Sequence, residues 1–128
     1  MDLLTKVKKL EEAAEEFGLR WENPGQIMAQ IQSECGEINE HLSQEVDIAC
    51  QAELQEEIGD LLHAVFSLCL FCKLDPKDTL KKTLNKFENR LNAVKKITQE
   101  HGLNNLDGLS FDELMHVWEK AKKLTNKF

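Results

Sequence analysis

Apolar side chains recur along this chain three and four residues apart, the spacing of one helical face, and they do so in five stretches. In the first, Leu3, Val7, Leu10 and Ala14 predict a helix over 2–17, with Gly18 as the natural residue to end it. A short loop, Leu19 to Trp21, carries one large apolar anchor. Asn23 followed by Pro24 is a start signal, with Asn as N-cap and Pro in the first helical position. The helix it opens runs to about Leu42 on a stripe of Ile27, Ile31, Ile38 and Leu42, with Met28 and Cys35 at its edge. Ser43 to Cys50 reads as a connection or a ragged helix start. After a central helix, Asp75 and Pro76 cap a fourth helix to about Glu100. One side of that helix holds Leu80, Leu84, Phe87, Leu91, Val94 and Ile97, and the other is basic. Ser110 and Glu113 form a capping box, opening a last helix with Leu114, Val117, Trp118, Ala121 and Leu124.

The central stretch, Glu53 to Cys72, departs from this amphipathic pattern. From Leu61 to Cys72 only His63 and Ser67 interrupt apolar residues, all round the helix. Such a helix belongs in an interior, and a single bundle of this size has few helices to cover it, so part of it is expected to pack against another subunit. At its entrance stand Glu53, Glu56, Glu57 and Asp60. Carboxylates beside a buried helix are costly to desolvate unless paired or holding a cation.

The expected fold is therefore all-α, a bundle of four to five helices in a single domain over residues 1–128. Composition agrees: 128 residues, 41% hydrophobic, with only two Pro and six Gly. The N-terminal MDLLTKVKKL has no long apolar core, and no run is long enough to span a bilayer, so a cytoplasmic protein with no membrane partner is expected. Cys35, Cys50, Cys69 and Cys72 read as small buried thiols rather than disulfides or a zinc site, because the one CxxC lies in an apolar helix without a second pair. The net charge of −7 disfavours a nucleic-acid polymer as partner. That charge is divided: residues 1–76 carry five basic and sixteen acidic side chains, and residues 77–128 eleven and seven. An acidic half able to hold cations and a basic half able to hold phosphates fit a metal–phosphate ligand, although charge runs also serve as solvated helix faces.

Glu57 and Asp60, three apart, share one helix face, and Glu34 and Glu37 repeat that spacing at the border of the second helix's buried stripe. Gln30 and His41 share that flank. Two helices that each present two carboxylates can hold a hard divalent cation through oxygen. Lys86 and Arg90, four apart, give one helix face two cations for phosphate. Phosphoanhydride hydrolysis needs this combination: charge neutralised, a water activated, and water and phosphorus aligned. Spacing alone leaves a solvated face as open as metal binding for Glu34 and Glu37, since Glu12/Glu15 and Glu53/Glu56 repeat it by chance.

Residues 34–60 resemble the signature of the MazG-like, all-α nucleoside triphosphate pyrophosphohydrolases: Glu-x-x-Glu, then Glu-x-x-Asp about twenty residues later. Glu56-Glu57-Ile58-Gly59-Asp60-Leu61-Leu62 is similar to that family's "EELGDLL", and Asn85-Lys86-Phe87-Glu88-Asn89-Arg90 to its "KFxxR" element. The segment from Gly102 through Phe111 to Trp118 and Lys120 is similar to the helix closing the second domain of MazG. The likeness covers roughly residues 17–123. Leu84 stands where the family has Asn, and Cys35 and Gly36 where Leu and Ala are usual.

The resemblance implies a Mg²⁺-dependent hydrolase, with Mn²⁺ as a possible substitute. It would cut NTPs or dNTPs between the α- and β-phosphates, giving the monophosphate and pyrophosphate and clearing unwanted nucleotides. Glu34, Glu37, Glu57 and Asp60 match the family's catalytic metal ligands, and Lys86 and Arg90 its phosphate contacts. The assembly would be a homodimer or homotetramer. Narrower relatives remain alternatives, a dUTP or dCTP pyrophosphatase or a phosphoribosyl-ATP pyrophosphatase, as does a non-catalytic helical module that binds nucleotide or dimerises. A di-iron carboxylate bundle needs Glu-x-x-His, and neither His41 nor His63 completes that motif.

Overall fold

A computed structural model of the chain describes residues 2–44 and 47–126. It contains five helices: α1 Leu3–Phe17, α2 Pro24–Leu42, α3 Ile48–Phe71, α4 Pro76–Glu100 and α5 Phe111–Thr125. Among the described residues there is no strand, and no helix is long and apolar enough to cross a membrane. The all-α expectation holds. Part of the connection expected at 43–50, residues 45 and 46, lies outside the described residues.

Local chemistry sets the boundaries. Asp2, Asn23, Asp47 and Ser110 each accept a backbone N–H from the first turn of their helix, satisfying a donor that would otherwise be orphaned. Asp75 Oδ2 accepts from the Asp78 N–H at 3.0 Å ahead of Pro76. The capping box at Ser110 and Glu113 is complete in both directions. At the end of α1, Gly18 adopts φ +102° and Leu19 N–H returns to Ala14 O at 2.9 Å. At the end of α3 the same closure runs from Leu74 N–H to Cys69 O at 2.8 Å. There the left-handed residue is Lys73, with φ +64°.

The backbone divides into two compact units, Met1–Thr79 and Leu80–Phe128. In the first, α3 packs extensively against α2 and less extensively against α1. Ile27 is fully buried, a burial that contributes about 1.5–3 kcal/mol. Glu11 of α1 ties itself to α3: its Oε1 lies 2.6 Å from His63 Nε2 and accepts the Ser67 hydroxyl at 2.6 Å. In the second unit Val94, Ile97 and Ala121 form the core, flanked by Leu106, Val117 and Trp118. Buried Thr98 is satisfied by donating to Val94 O at 2.7 Å.

The segment from Leu61 to Cys72 is not enclosed within one copy of the chain, as expected of a lone copy, whereas other expectations about burial are corrected. Ala64 and Ser67 are buried, but Leu62 and Val65 are 54% and 40% exposed, and Ile58, one turn earlier, 42%. Leu42, placed on the buried stripe of α2, is exposed, as are Leu80, Leu84, Phe87 and Leu91 on α4. Of the four free cysteines only Cys50 is buried, while Cys35 and Cys72 are exposed. Period reports which side of a helix is apolar; cover depends on what packs there.

Candidate active site

Two of the four acidic candidates are withdrawn from solvent. Glu34 sits on α2 one and two turns beyond Ile31 and Ile27, and the packing of that stripe onto α3 leaves it only 6% exposed. Gln30, one turn earlier, donates from Nε2 to Glu34 Oε1 at 2.8 Å. Among the described residues Glu34 Oε2 is buried with no hydrogen-bond partner. Glu57 on α3 repeats this arrangement. Its Oε1 lies 3.1 Å from His41 Nε2, and its Oε2 is buried without a partner among the described residues. A carboxylate only accepts, so Nε2 of His41 carries the proton of that bond. The other face of the ring, Nδ1, lies 3.7 Å from Cys50 Sγ. Exposed Glu53 is a more distant neighbour, with Oε2 3.8 Å from His41 Nε2.

The His41–Glu57 contact fixes the register of α2 against α3. Only a short connection joins the two helices, so they run antiparallel. One turn back from His41 is Glu37, and nearly one turn on from Glu57 is Asp60. Both are exposed, and among the described residues neither makes a hydrogen bond or an ion pair. Two packed helices thus carry the four carboxylates, with Glu34 buried, Glu57 half-buried and the other two exposed. Among the described residues no three Asp, Glu, His or Cys side chains stand close enough to form a ready-made cation shell.

The donor chemistry still fits a cation. A buried carboxylate oxygen without a partner costs at least about 1–3 kcal/mol, more when charged, and two such oxygens occur here, at two of the expected ligands. An all-carboxylate set suits a hard, oxygen-seeking ion such as Mg²⁺. The best-formed cleft of the first unit lies elsewhere, about 560 Å³ beside Glu11, Arg20, Trp21 and Phe71, and includes none of the four.

In the second unit Lys86 is exposed and makes no ion pair among the described residues. Arg90 is half-buried and already engaged. Its guanidinium carbon lies 5.9 Å from the centre of the Trp118 ring, and Nη2 donates to Asn126 Oδ1 at 2.9 Å. Its Nε is buried with no partner among the described residues. Phe87 meets the same indole, with ring centres 6.0 Å apart.

Sequence reasoning set Gln30 and His41 on the right flank but gave them no task. Gln30 was within reach, being four residues before Glu34. The His41–Glu57 bond spans sixteen residues and leaves no local pattern. Trp118 and Asn126 as partners of Arg90 had no signal either.

Comparison with known proteins bears on this arrangement. The MazG nucleotide pyrophosphohydrolase domain matches residues 22–95, an interval that takes in all six candidates. The nucleoside triphosphate pyrophosphohydrolase/pyrophosphatase MazG of Thermotoga maritima is 31% identical over 119 residues, covering 93% of this chain and 44% of that protein. The nucleoside triphosphate pyrophosphohydrolase of Escherichia coli K12 is 28% identical over 120 residues, covering 94% and 44%. The chain thus spans less than half the length of these relatives. Since the matched interval takes in more than half of the chain, the chain belongs to the MazG nucleotide pyrophosphohydrolase domain family.

Proposed function

We propose that this protein hydrolyses nucleoside triphosphates, ribo- or deoxyribo-, between the α- and β-phosphates in a reaction that depends on Mg²⁺. The products are the nucleoside monophosphate and pyrophosphate, and the role is removal of unwanted nucleotides. The observation that carries the reading is the pair of buried, unpartnered oxygens, Glu34 Oε2 and Glu57 Oε2, on two packed helices of a MazG-family chain. The names of the two long relatives support the reaction class.

Glu34, Glu37, Glu57 and Asp60 are the residues that would hold Mg²⁺, which when bound supplies charge neutralisation and a polarised water. Glu34 and Glu57, withdrawn from solvent, bind in a medium where charge interactions are strong. Glu37 and Asp60, both exposed, stay open to ion and substrate. Lys86 and Arg90 are the phosphate contacts: Lys86 as a mobile point charge, Arg90 as a guanidinium oriented by Trp118 and Asn126. The family match, over residues 22–95, takes in all six of these side chains.

The protein works as a homodimer or homotetramer in this reading. Ile58, Leu62 and Val65 lie at helical spacing on α3 and are each at least 40% exposed, an apolar stripe suited to burial against a second copy.

The deciding experiment is a turnover screen of all NTPs and dNTPs with Mg²⁺ or Mn²⁺, with products resolved. Pyrophosphate and monophosphate in equal amounts are expected. Release of orthophosphate, or no turnover of any nucleotide, overturns the reading.

A further inference from the structure

We propose that Gln30 and His41 are positioning residues of the cation site: each occupies one oxygen of a carboxylate whose other oxygen is buried, so that Glu34 and Glu57 can offer a divalent cation one oxygen apiece. This rests on the cation reading above.

The two glutamates sit on different helices, yet their environments match. In each, Oε1 is held by a polar side chain of α2, Gln30 Nε2 at 2.8 Å and His41 Nε2 at 3.1 Å. In each, Oε2 is buried and bare. A carboxylate held on one side cannot spin freely about its last torsion, so the bare oxygen keeps a fixed direction. His41 is itself held. Cys50 Sγ lies 3.7 Å from Nδ1 and donates weakly to the His41 carbonyl at 3.9 Å, and Cys50 is buried. The result is a chain from thiol through imidazole to carboxylate that crosses from α3 to α2 and back.

Occupying one oxygen has a consequence for ion choice. Ca²⁺ takes six to eight ligands in flexible geometry and often engages both oxygens of a carboxylate, whereas Mg²⁺ demands near-octahedral geometry and keeps several waters. A glutamate whose Oε1 is already bonded ligates through Oε2 alone. Gln30 and His41 therefore bias the site towards the small octahedral ion and against Ca²⁺. A helix–helix pin with no such role would alter folding stability but not the ratio of the two affinities.

The experiment measures Mn²⁺ binding to the full chain without nucleotide by electron paramagnetic resonance, then competes it with Mg²⁺ and with Ca²⁺. Wild type is compared with Gln30→Leu, His41→Ala and His41→Gln, and circular dichroism checks that each is folded. Gln30 is exposed, so Leu there leaves the helix intact and decides the matter should His41→Ala fail to fold. In Gln30→Leu and His41→Ala, Mg²⁺ affinity should fall about 10- to 100-fold, the usual effect of removing a partner behind a ligand. Ca²⁺ affinity should fall less, so the Mg²⁺/Ca²⁺ ratio narrows. His41→Gln keeps an N–H donor and should restore much of that ratio. A wild-type ratio in the folded variants overturns the proposal while leaving the cation reading standing. Wild-type protein that binds no Mn²⁺ overturns that reading, and the proposal with it.

Discussion

Ser67 and Glu11 meet across 2.6 Å, a hydroxyl of α3 donating to a carboxylate of α1 that also meets His63 at 2.6 Å. Ser67 is buried, so this polar contact interrupts the most apolar segment of the chain and fixes which face of α3 meets α1. Replacing Ser67 with Ala leaves Glu11 with His63 alone. A hydrogen bond to a charged group is worth about 1.5–3 kcal/mol, and Glu11 keeps some contact with water, so a loss of about 1–2 kcal/mol is expected. Urea denaturation with an unchanged slope checks it.

Asp60→Asn keeps the shape of an exposed side chain and removes one negative charge from a face that carries four. Like charges on neighbouring turns oppose folding, so the apo protein should melt no lower than wild type. Hydrolysis should be lost, and the rise in melting temperature on adding Mg²⁺ with nucleotide should shrink, since a ligand stabilises in proportion to its binding to the native state. Were Asp60 a structural partner, the variant would melt lower and keep its activity.

Lys86 and Arg90 should separate by phenotype. Lys86 is exposed and makes no ion pair among the described residues, so Lys86→Ala should lower kcat/KM with helix content and melting temperature unchanged. Arg90→Lys forfeits the contact with Trp118 and the bond to Asn126, so it should lower both turnover and melting temperature. Steady-state kinetics beside thermal melts distinguish the two patterns.

The start of α5 should be acid-sensitive. The backbone N–H of Ser110, and then its hydroxyl, hold the Glu113 carboxyl below its ordinary value of 4.5. A carboxyl depressed in the folded state stabilises fully above its unfolded value, and loses that contribution as pH falls through the folded one. Glu113→Gln should therefore be less stable than wild type at neutral pH, with the difference closing as pH falls through the carboxyl's lowered value. Ser110→Ala should cost about 1 kcal/mol at neutral pH. Thermal melts of the three proteins across pH 3–7 test both.

Leu62→Glu places a charge on the exposed stripe of α3. In a lone copy the side chain meets water and the fold tolerates it. If the stripe is an interface, light scattering should report a smaller species than wild type. A wild-type protein that is already monomeric at micromolar concentration removes the assembly from the proposed function.

Helix boundaries were legible because they are written locally. Asn23-Pro24, Asp75-Pro76 and the Ser110–Glu113 box each act within one turn, and each helix begins where they place it. The face carrying Glu34 was legible for the same reason, through its spacing from Ile27 and Ile31. Burial was less so, because Leu42, Leu62 and Phe87 obey the helical period yet lie uncovered. The outer partners were hidden altogether: nothing in the order of residues says that His41 will meet Glu57, because α2 has to fold back on α3 before they do.

The two helix ends that close alike, at Gly18 and Lys73, differ in what they require of the disordered chain. Gly18 takes its left-handed turn without strain, yet gives up wide backbone freedom when the chain folds. Lys73 gives up less freedom but holds a conformation that costs a side-chain-bearing residue roughly 1 kcal/mol. Lys73→Gly exchanges one cost for the other and should leave equilibrium stability nearly unchanged. Gly18→Ala has no such exchange, since the added methyl group brings strain that outweighs the freedom removed. The chain between α3 and α4 is thus open to substitution at a position where the chain between α1 and α2 is not.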